Sequence, residues 1–271
     1  MGMTESECYQ QGKLSCVSCH SLHESDPNDQ LADRMQGNHA CLQCHSEYEQ
    51  NLEEHTHHAA NASGSLCYNC HMPHTTYALF KAIRSHRIDS PSALNSKKTG
   101  RPNACNQCHT DRSLQWTSQH LANWYQMPQE ELSEDDTEIS ATVLWALSGD
   151  AGQRVVTAWT LGWESSLANS GNNWQPAHLA QLLDDPYSAV RFVAYLSLKK
   201  FPGFEDFSYD FAAPFKERKD AKERALAIWQ QQEKTRPHMS NVLIDREGKI
   251  RQSVVDRLLK ARNDRSFNLP E

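Results

Sequence analysis

The sequence predicts a mainly α-helical protein in two parts: an irregular domain over residues 1–128 that wraps cofactors, then an all-α helical-repeat domain over 129–271. Three observations predict it. The pattern Cys-x-x-Cys-His occurs four times between Cys16 and His109. Up to about Trp124 the chain is rich in His, Cys, Asn and Ser and too poor in aliphatic side chains to bury a core of its own. From Glu131 onward, apolar residues recur at helical spacing.

The four motifs are Cys16-Val-Ser-Cys19-His20, Cys41-Leu-Gln-Cys44-His45, Cys67-Tyr-Asn-Cys70-His71 and Cys105-Asn-Gln-Cys108-His109. This is the attachment sequence for c-type haem. Two thiols three positions apart each form a thioether to one vinyl group, and the next residue sets its imidazole under the iron. Four covalent haem c groups are therefore expected, held by the eight cysteines, with His20, His45, His71 and His109 as proximal ligands. Zinc ribbons also pair Cys-x-x-Cys units, but they need only the thiolates and have no use for a His after every second Cys. Disulfides are a weaker rival, since Cys-x-x-Cys pairs are typical of redox-active sites. Only Cys8 lies outside the motifs. With four porphyrins as apolar interior, the polar N-terminal segment gains the core its side chains cannot supply.

The helices then follow in order. Ser133-Glu-Asp-Asp136 caps a run through Ile139, Val143, Leu144 and Leu147 that Gly149 stops, and Asp150 opens a helix with Val155, Ala158, Trp159 and Leu161. Pro176 starts a helix with Leu179, Leu182 and Leu183; Asp185-Pro186 starts its partner, with Asp185 as N-cap and Val190, Val193, Ala194 and Leu196 along it. The two pairs align, Asp150 on Asp185, Val155 on Val190, Ala158 on Val193 and Leu161 on Leu196, as in a helical-repeat solenoid. An ordinary bundle stays open as the alternative. Beyond Phe201-Pro-Gly comes an aromatic loop, then a helix near 216–232 with Ala225, Leu226 and Trp229 inward, and a final amphipathic helix near 251–262. Nothing in this half has catalytic spacing.

Ten of the fourteen histidines remain as candidates for the far side of each iron. Closing both axial positions with His makes a haem a low-spin electron carrier. His23 sits too close to its own motif to reach over its own haem and is expected to cap a neighbour. Of His55, His57 and His58, one or two are expected to ligate. His86 stands in a basic setting that also suits propionates. His39 and His74 are further candidates; His120, His178 and His238 are expected to be structural or at the surface.

The stretches Ser63-Gly-Ser-Leu-Cys67-Tyr-Asn-Cys-His71-Met-Pro-His-Thr-Thr-Tyr77, Arg84-Ser-His86-Arg-Ile88 and Arg101-Pro-Asn-Ala-Cys105-Asn-Gln-Cys-His109 resemble the multihaem cytochromes c with doubled Cys-x-x-Cys-His motifs. These are similar to the cytochrome c-554 type and often carry helical-repeat tails. Asp185-Pro-Tyr-Ser-Ala-Val-Arg191 resembles the second helix of a HEAT repeat. The resemblance implies an exported electron-transfer protein with closely stacked haems, with distal ligation at His23, at a His of the 55–58 cluster (His57 and His58 above all) and at His86.

A net charge of −7, made more negative by haem propionates, disfavours nucleic acid and fits a basic or neutral redox partner. No stretch is apolar enough to span a membrane. Haem attachment places the protein in the periplasm or outside the cell. No signal peptide precedes the first motif, and the expectation is a piece of a longer exported multihaem chain. The leading functional reading is a tetrahaem electron carrier with a docking tail. The other is a multihaem oxidoreductase acting on a small nitrogen or sulfur compound at one open haem.

Overall fold

Hydrophobic burial divides this chain unevenly. In the computed structural model, which describes residues 2–23, 25–78, 80–129, 131–232 and 239–265, the fully buried hydrophobic side chains all lie at or beyond Ala93. By contact, the chain forms two units, residues 1–74 with 84–91, and residues 75–83 with 92–271. The compositional boundary near residue 128 differs from this division, because the fourth motif lies within the second unit.

The first unit consists of short pieces: α1 (Glu7–Gln10), a tight turn over Cys16–Ser18, α2 (His39–Leu42), α3 (Leu52–Thr56) and α4 (Cys67–His71). Among its described residues the buried polar side chains are Ser6, Ser65, Asn69 and His74. Helices of four or five residues cannot persist on their own hydrogen bonds. An interior must come from elsewhere, and a large apolar cofactor is the kind of group that supplies one.

The second unit begins with a hairpin, β1 (His74–Ala78) and β2 (Lys81–Arg84), most of which belongs to it. Helices α5 (Ala93–Thr99), α6 (Ala104–Cys108), α7 (Leu114–Tyr125), α8 (Glu134–Glu138) and α9 (Ala141–Ser148) follow. Next come α10 (Ala151–Thr160), α11 (Glu164–Ser170), α12 (Gln175–Leu182), α13 (Ser188–Leu198), α14 (Phe215–Gln231) and α15 (Gln252–Lys260). One core gathers Leu147, Val156, Leu161, Trp174, Leu179, Leu182, Val190, Phe201, Phe204, Trp229 and Leu258. Each fully buried aliphatic side chain contributes about 1.5–3 kcal/mol, so this unit is stable through packing. Its two buried indoles are satisfied, Trp174 Nε1 donating to Ser170 O (2.9 Å) and Trp229 Nε1 to Asn173 O (2.7 Å).

Local chemistry explains the boundaries. Asp150 and Gln153 form a reciprocal capping box at the start of α10. The run expected from Ser133 to Leu147 is two helices: Ile139 is extended and Ser140 caps α9 by accepting from Val143 N at 3.1 Å. Asp185 is not the N-cap of α13, which starts at Ser188. Its carboxylate is buried against Arg154 instead, with Nε donating at 2.7 Å, and both side chains are fully buried. Leu196 is 41% exposed while its expected counterpart Leu161 is fully buried, so that equivalence of the two helix pairs fails; Leu198 takes the inward position. The mainly α character stands. Val242-Leu243-Ile244, an apolar triplet without helical spacing, is fully buried and was not evident from periodicity. His238 lies outside the described residues.

Candidate haem sites

In the first motif, Ser15 and Ser18 form a capping box around the turn that starts at Cys16. His20 N donates to Cys16 O at 2.9 Å, and residues 19–21 run beside 30–32 through Ser21 N to Gln30 O (3.0 Å) and Ala32 N to Cys19 O (2.9 Å). That pairing sets His20 Nδ1 3.1 Å from the Gln30 carbonyl. In the third motif, carried by α4, His71 Nδ1 lies 3.1 Å from Asp89 O. A ring nitrogen that donates to a carbonyl fixes the tautomer and leaves Nε2 as the basic nitrogen, the usual preparation of an imidazole for a metal. Burial keeps His71 neutral, lowering its pKa against the opposing pull of the Asp89 bond.

Each of these imidazoles has a second one facing it. The rings of His20 and His86 are 6.1 Å apart and 29° from parallel; those of His55 and His71 are 6.2 Å apart and 6° from parallel. Two imidazoles on opposite faces of one iron have this spacing. About 2 Å separates metal from nitrogen and about 1 Å separates nitrogen from ring centre on each side, giving ~6 Å. Burial, then the charge of His57, lowers the pKa of His55 and favours its neutral form.

Arg84 holds this arrangement. Its guanidinium donates to Tyr68 O (2.9 Å), Met72 O (3.2 Å) and Asn69 Oδ1 (2.7 Å) and lies 4.4 Å from the centre of the Tyr68 ring. A cation at the carbonyl end of α4 satisfies acceptors the helix leaves open. Two residues further on, just past the end of β2, comes His86.

The second and third motifs are tied through Asn38, which donates to Ser65 O (2.7 Å) and accepts from Cys67 N (2.9 Å). The thiols of Cys41 and Cys67 influence each other, which pushes Cys41 up and brings Cys67 down to about 7. Cys19 is raised by burial and by nearby Cys44, and burial raises Cys70 to about 11. None of the nine cysteines is in a disulfide. His45 is half-exposed, with Nδ1 3.6 Å from Glu47 Oε1. Tyr48 lies 4.4 Å from the His55 ring.

The fourth motif is built on helices of the second unit. Asn103 caps α6 by accepting from Cys105 N (3.0 Å), and the two variable residues, Asn106 and Gln107, are buried. Asn106 donates to Arg112 O (2.9 Å) and accepts from Thr117 Oγ1 (2.9 Å) and, through its carbonyl, from Thr142 Oγ1 (2.9 Å). Ser170 Oγ donates to Cys108 O at 3.0 Å. The His109 ring packs 4.9 Å from Trp116, whose other neighbour is His120 at 4.2 Å.

Comparison with known proteins bears on the first two motifs. Residues 9–50 match the doubled CXXCH motif family. The matched stretch contains the first two motifs and supports a c-type cytochrome-like protein that binds haem c, with electron transfer as the suggested role. Neither the curated proteins nor the solved structures contain a match to this chain. The first unit fits the cofactor on its own chemistry: thiols outside any disulfide, imidazoles with one nitrogen engaged, and, among its described residues, no buried apolar side chain larger than Pro73. Among the described residues, no three His, Cys, Asp or Glu side chains converge as a metal cluster.

Of the distal candidates, the structure brings His86 to His20 and His55 to His71. His57 is exposed at the left-handed end of α3 (φ 55°), and His23 and His39 are exposed. The His58 ring is seated against Gly64, with Nδ1 2.6 Å from Thr56 O. His74 is buried and pushed down to about 3, by burial and then by Arg84. Arg84 and Asn38 carry no ligand signature, so sequence reading passes over the two residues that organise the first unit. No helix among the described residues is long and apolar enough to cross a membrane.

Proposed function

We propose that the chain is a multihaem electron carrier with four haem c groups. Cys16 and Cys19, Cys41 and Cys44, Cys67 and Cys70, and Cys105 and Cys108 hold them, over His20, His45, His71 and His109. His86 closes the far side of the first haem and His55 that of the third. The observation that carries this reading is the pair of facing imidazoles at about 6 Å, each including a proximal His whose Nδ1 is engaged by a backbone carbonyl. Haem supplies an iron that changes charge by one electron without bond rearrangement when both axial positions are filled.

The protein's own part is to hold the ligands still. Arg84 ties α4 to the segment that leads to His86, and Gln30 and Asp89 orient the proximal rings. Juxtaposition of Cys19 with Cys44 and of Cys41 with Cys67 supports short steps between the first three haems. The helical unit, read as HEAT-like, would dock a redox protein or further multihaem chain in the periplasm or outside the cell. Haem content per chain, by pyridine haemochrome and intact mass on one holoprotein sample, tests the count. Four covalent haems are expected; two, at the first pair of motifs alone, would reject the tetrahaem reading.

A further inference from the structure

Residues 85–89 run along the chain that closes the third motif. Ser85 N donates to Pro73 O at 2.9 Å, and Asp89 N donates to His71 O at 3.1 Å. Asp89 O accepts from His71 Nδ1 at 3.1 Å, so both backbone groups of Asp89 hold the same histidine. Three residues earlier stands His86, whose ring faces that of His20 at 6.1 Å. Three residue steps span at most about 11 Å, which leaves little slack between the two contacts. Arg87, between them, is braced on Glu5 Oε2 at 3.1 Å and on Asp89 Oδ2 at 3.4 Å.

We infer that residues 86–89 are a strut shared by two haems, so that His86, a ligand of the first iron, is also a positioning residue for the third. This rests on the reading of His86 and His71 as ligands of different irons. His86, bound to the first iron, fixes one end of the strut, and the other end keeps Asp89 O on His71 Nδ1. A carbonyl that accepts from this nitrogen makes the imidazole a stronger donor through Nε2. That favours ferric over ferrous iron and lowers the midpoint potential. Release of His86 frees the strut, weakens the bond to His71 and raises the midpoint of the third haem. Ligation of the first haem thereby sets the place of the third in the order of reduction.

The test uses the holoprotein, with four covalent haems verified in each variant. Potentiometric titration followed by EPR gives a midpoint for each low-spin signal, and the signal that His55→Ala abolishes marks the third haem. In His86→Ala its midpoint should shift upward. Added imidazole fills the vacated axial position of the first haem without rebuilding the strut, so the shift should persist. Ile88→Gly, which keeps both ligands and slackens the strut, should raise the same midpoint. Hydrogen exchange of the Asp89 N–H, read on the peptide 84–91, should quicken in both variants. An unchanged midpoint, an unchanged exchange rate, or a midpoint that imidazole returns to the parent value would overturn the inference and leave the ligand assignments standing. A His55→Ala protein that keeps every low-spin signal would reject those assignments, and the strut with them.

Discussion

The imidazoles of His55 and His71 face each other at 6.2 Å and lie within 6° of parallel, although sixteen positions separate them in the chain. Among its described residues the first unit buries Pro73 but no larger apolar side chain that could impose that approach. Hydrogen bonds do it: Asp89 O orients His71, Asn38 and Arg84 fix α4, and Ser65 Oγ donates to the His58 and Ala59 carbonyls (3.1 and 2.8 Å) just after α3.

If His55 and His86 are the distal ligands, removing either opens one iron. His55→Ala and His86→Ala should each bind about one equivalent of carbon monoxide per chain more than the reduced unaltered holoprotein, since only a vacated axial position admits the gas. His57→Ala should behave as the parent. The measurement is a carbon monoxide titration followed in the Soret band.

Arg84 touches no iron in this account, yet it should govern the first unit. Arg84→Met keeps much of the apolar stem and deletes three donated hydrogen bonds. A loss of roughly 2–3 kcal/mol is expected, since the remaining acceptors are only part-buried and can find water. Denaturant titration of the holoprotein, followed at the haem bands, measures it.

In the second unit, Asp185→Ala takes the buried carboxylate from the guanidinium of Arg154, which keeps the Gly149 and Asn263 carbonyls (2.6 and 3.1 Å) and the half-exposed carboxylate of Asp264 at 3.3 Å. A cost of about 3–5 kcal/mol is expected. Replacing both partners, Arg154→Met with Asp185→Leu, should cost less than the single change. Urea unfolding monitored by helical circular dichroism tests both.

His178 gives the helical unit a pH dependence. It is fully buried, Nε2 donates to Val242 O at 2.8 Å and Nδ1 has no partner among the described residues. Burial lowers its pKa from 6.5 to about 4. The unfolded chain therefore takes up a proton that the folded chain refuses. This contribution is complete above pH 6.5, falls as the pH drops towards about 4, and is lost below that. It amounts to ~3 kcal/mol. His178→Gln should flatten the stability profile over that window in urea melts at stepped pH.

The sequence makes some of this legible and hides the rest for physical reasons. The attachment motifs are contiguous and chemically fixed, so they can be read directly. Asp150 at a capping box and Gly149 as a stop are local signals, and both hold. Asp185 misleads because Asp-Pro is a good helix start, while a buried Arg154 claims its carboxylate, a partner 31 positions away. The choice of His55 from its cluster depends on the direction each side chain leaves α3, and His57 sits in a left-handed turn that points it elsewhere. Arg84 and Asn38 act through backbone groups, which no residue pattern records.

The central claim, a carrier whose irons are closed on both sides, is tested most directly by low-temperature EPR of the oxidised holoprotein, with haem quantified on the same sample. Low-spin ferric haem throughout, unchanged by added nitrite or hydroxylamine, is the predicted result. A high-spin signal in the unaltered protein that shifts with either compound, accompanied by its turnover, would contradict the account and make the protein an enzyme.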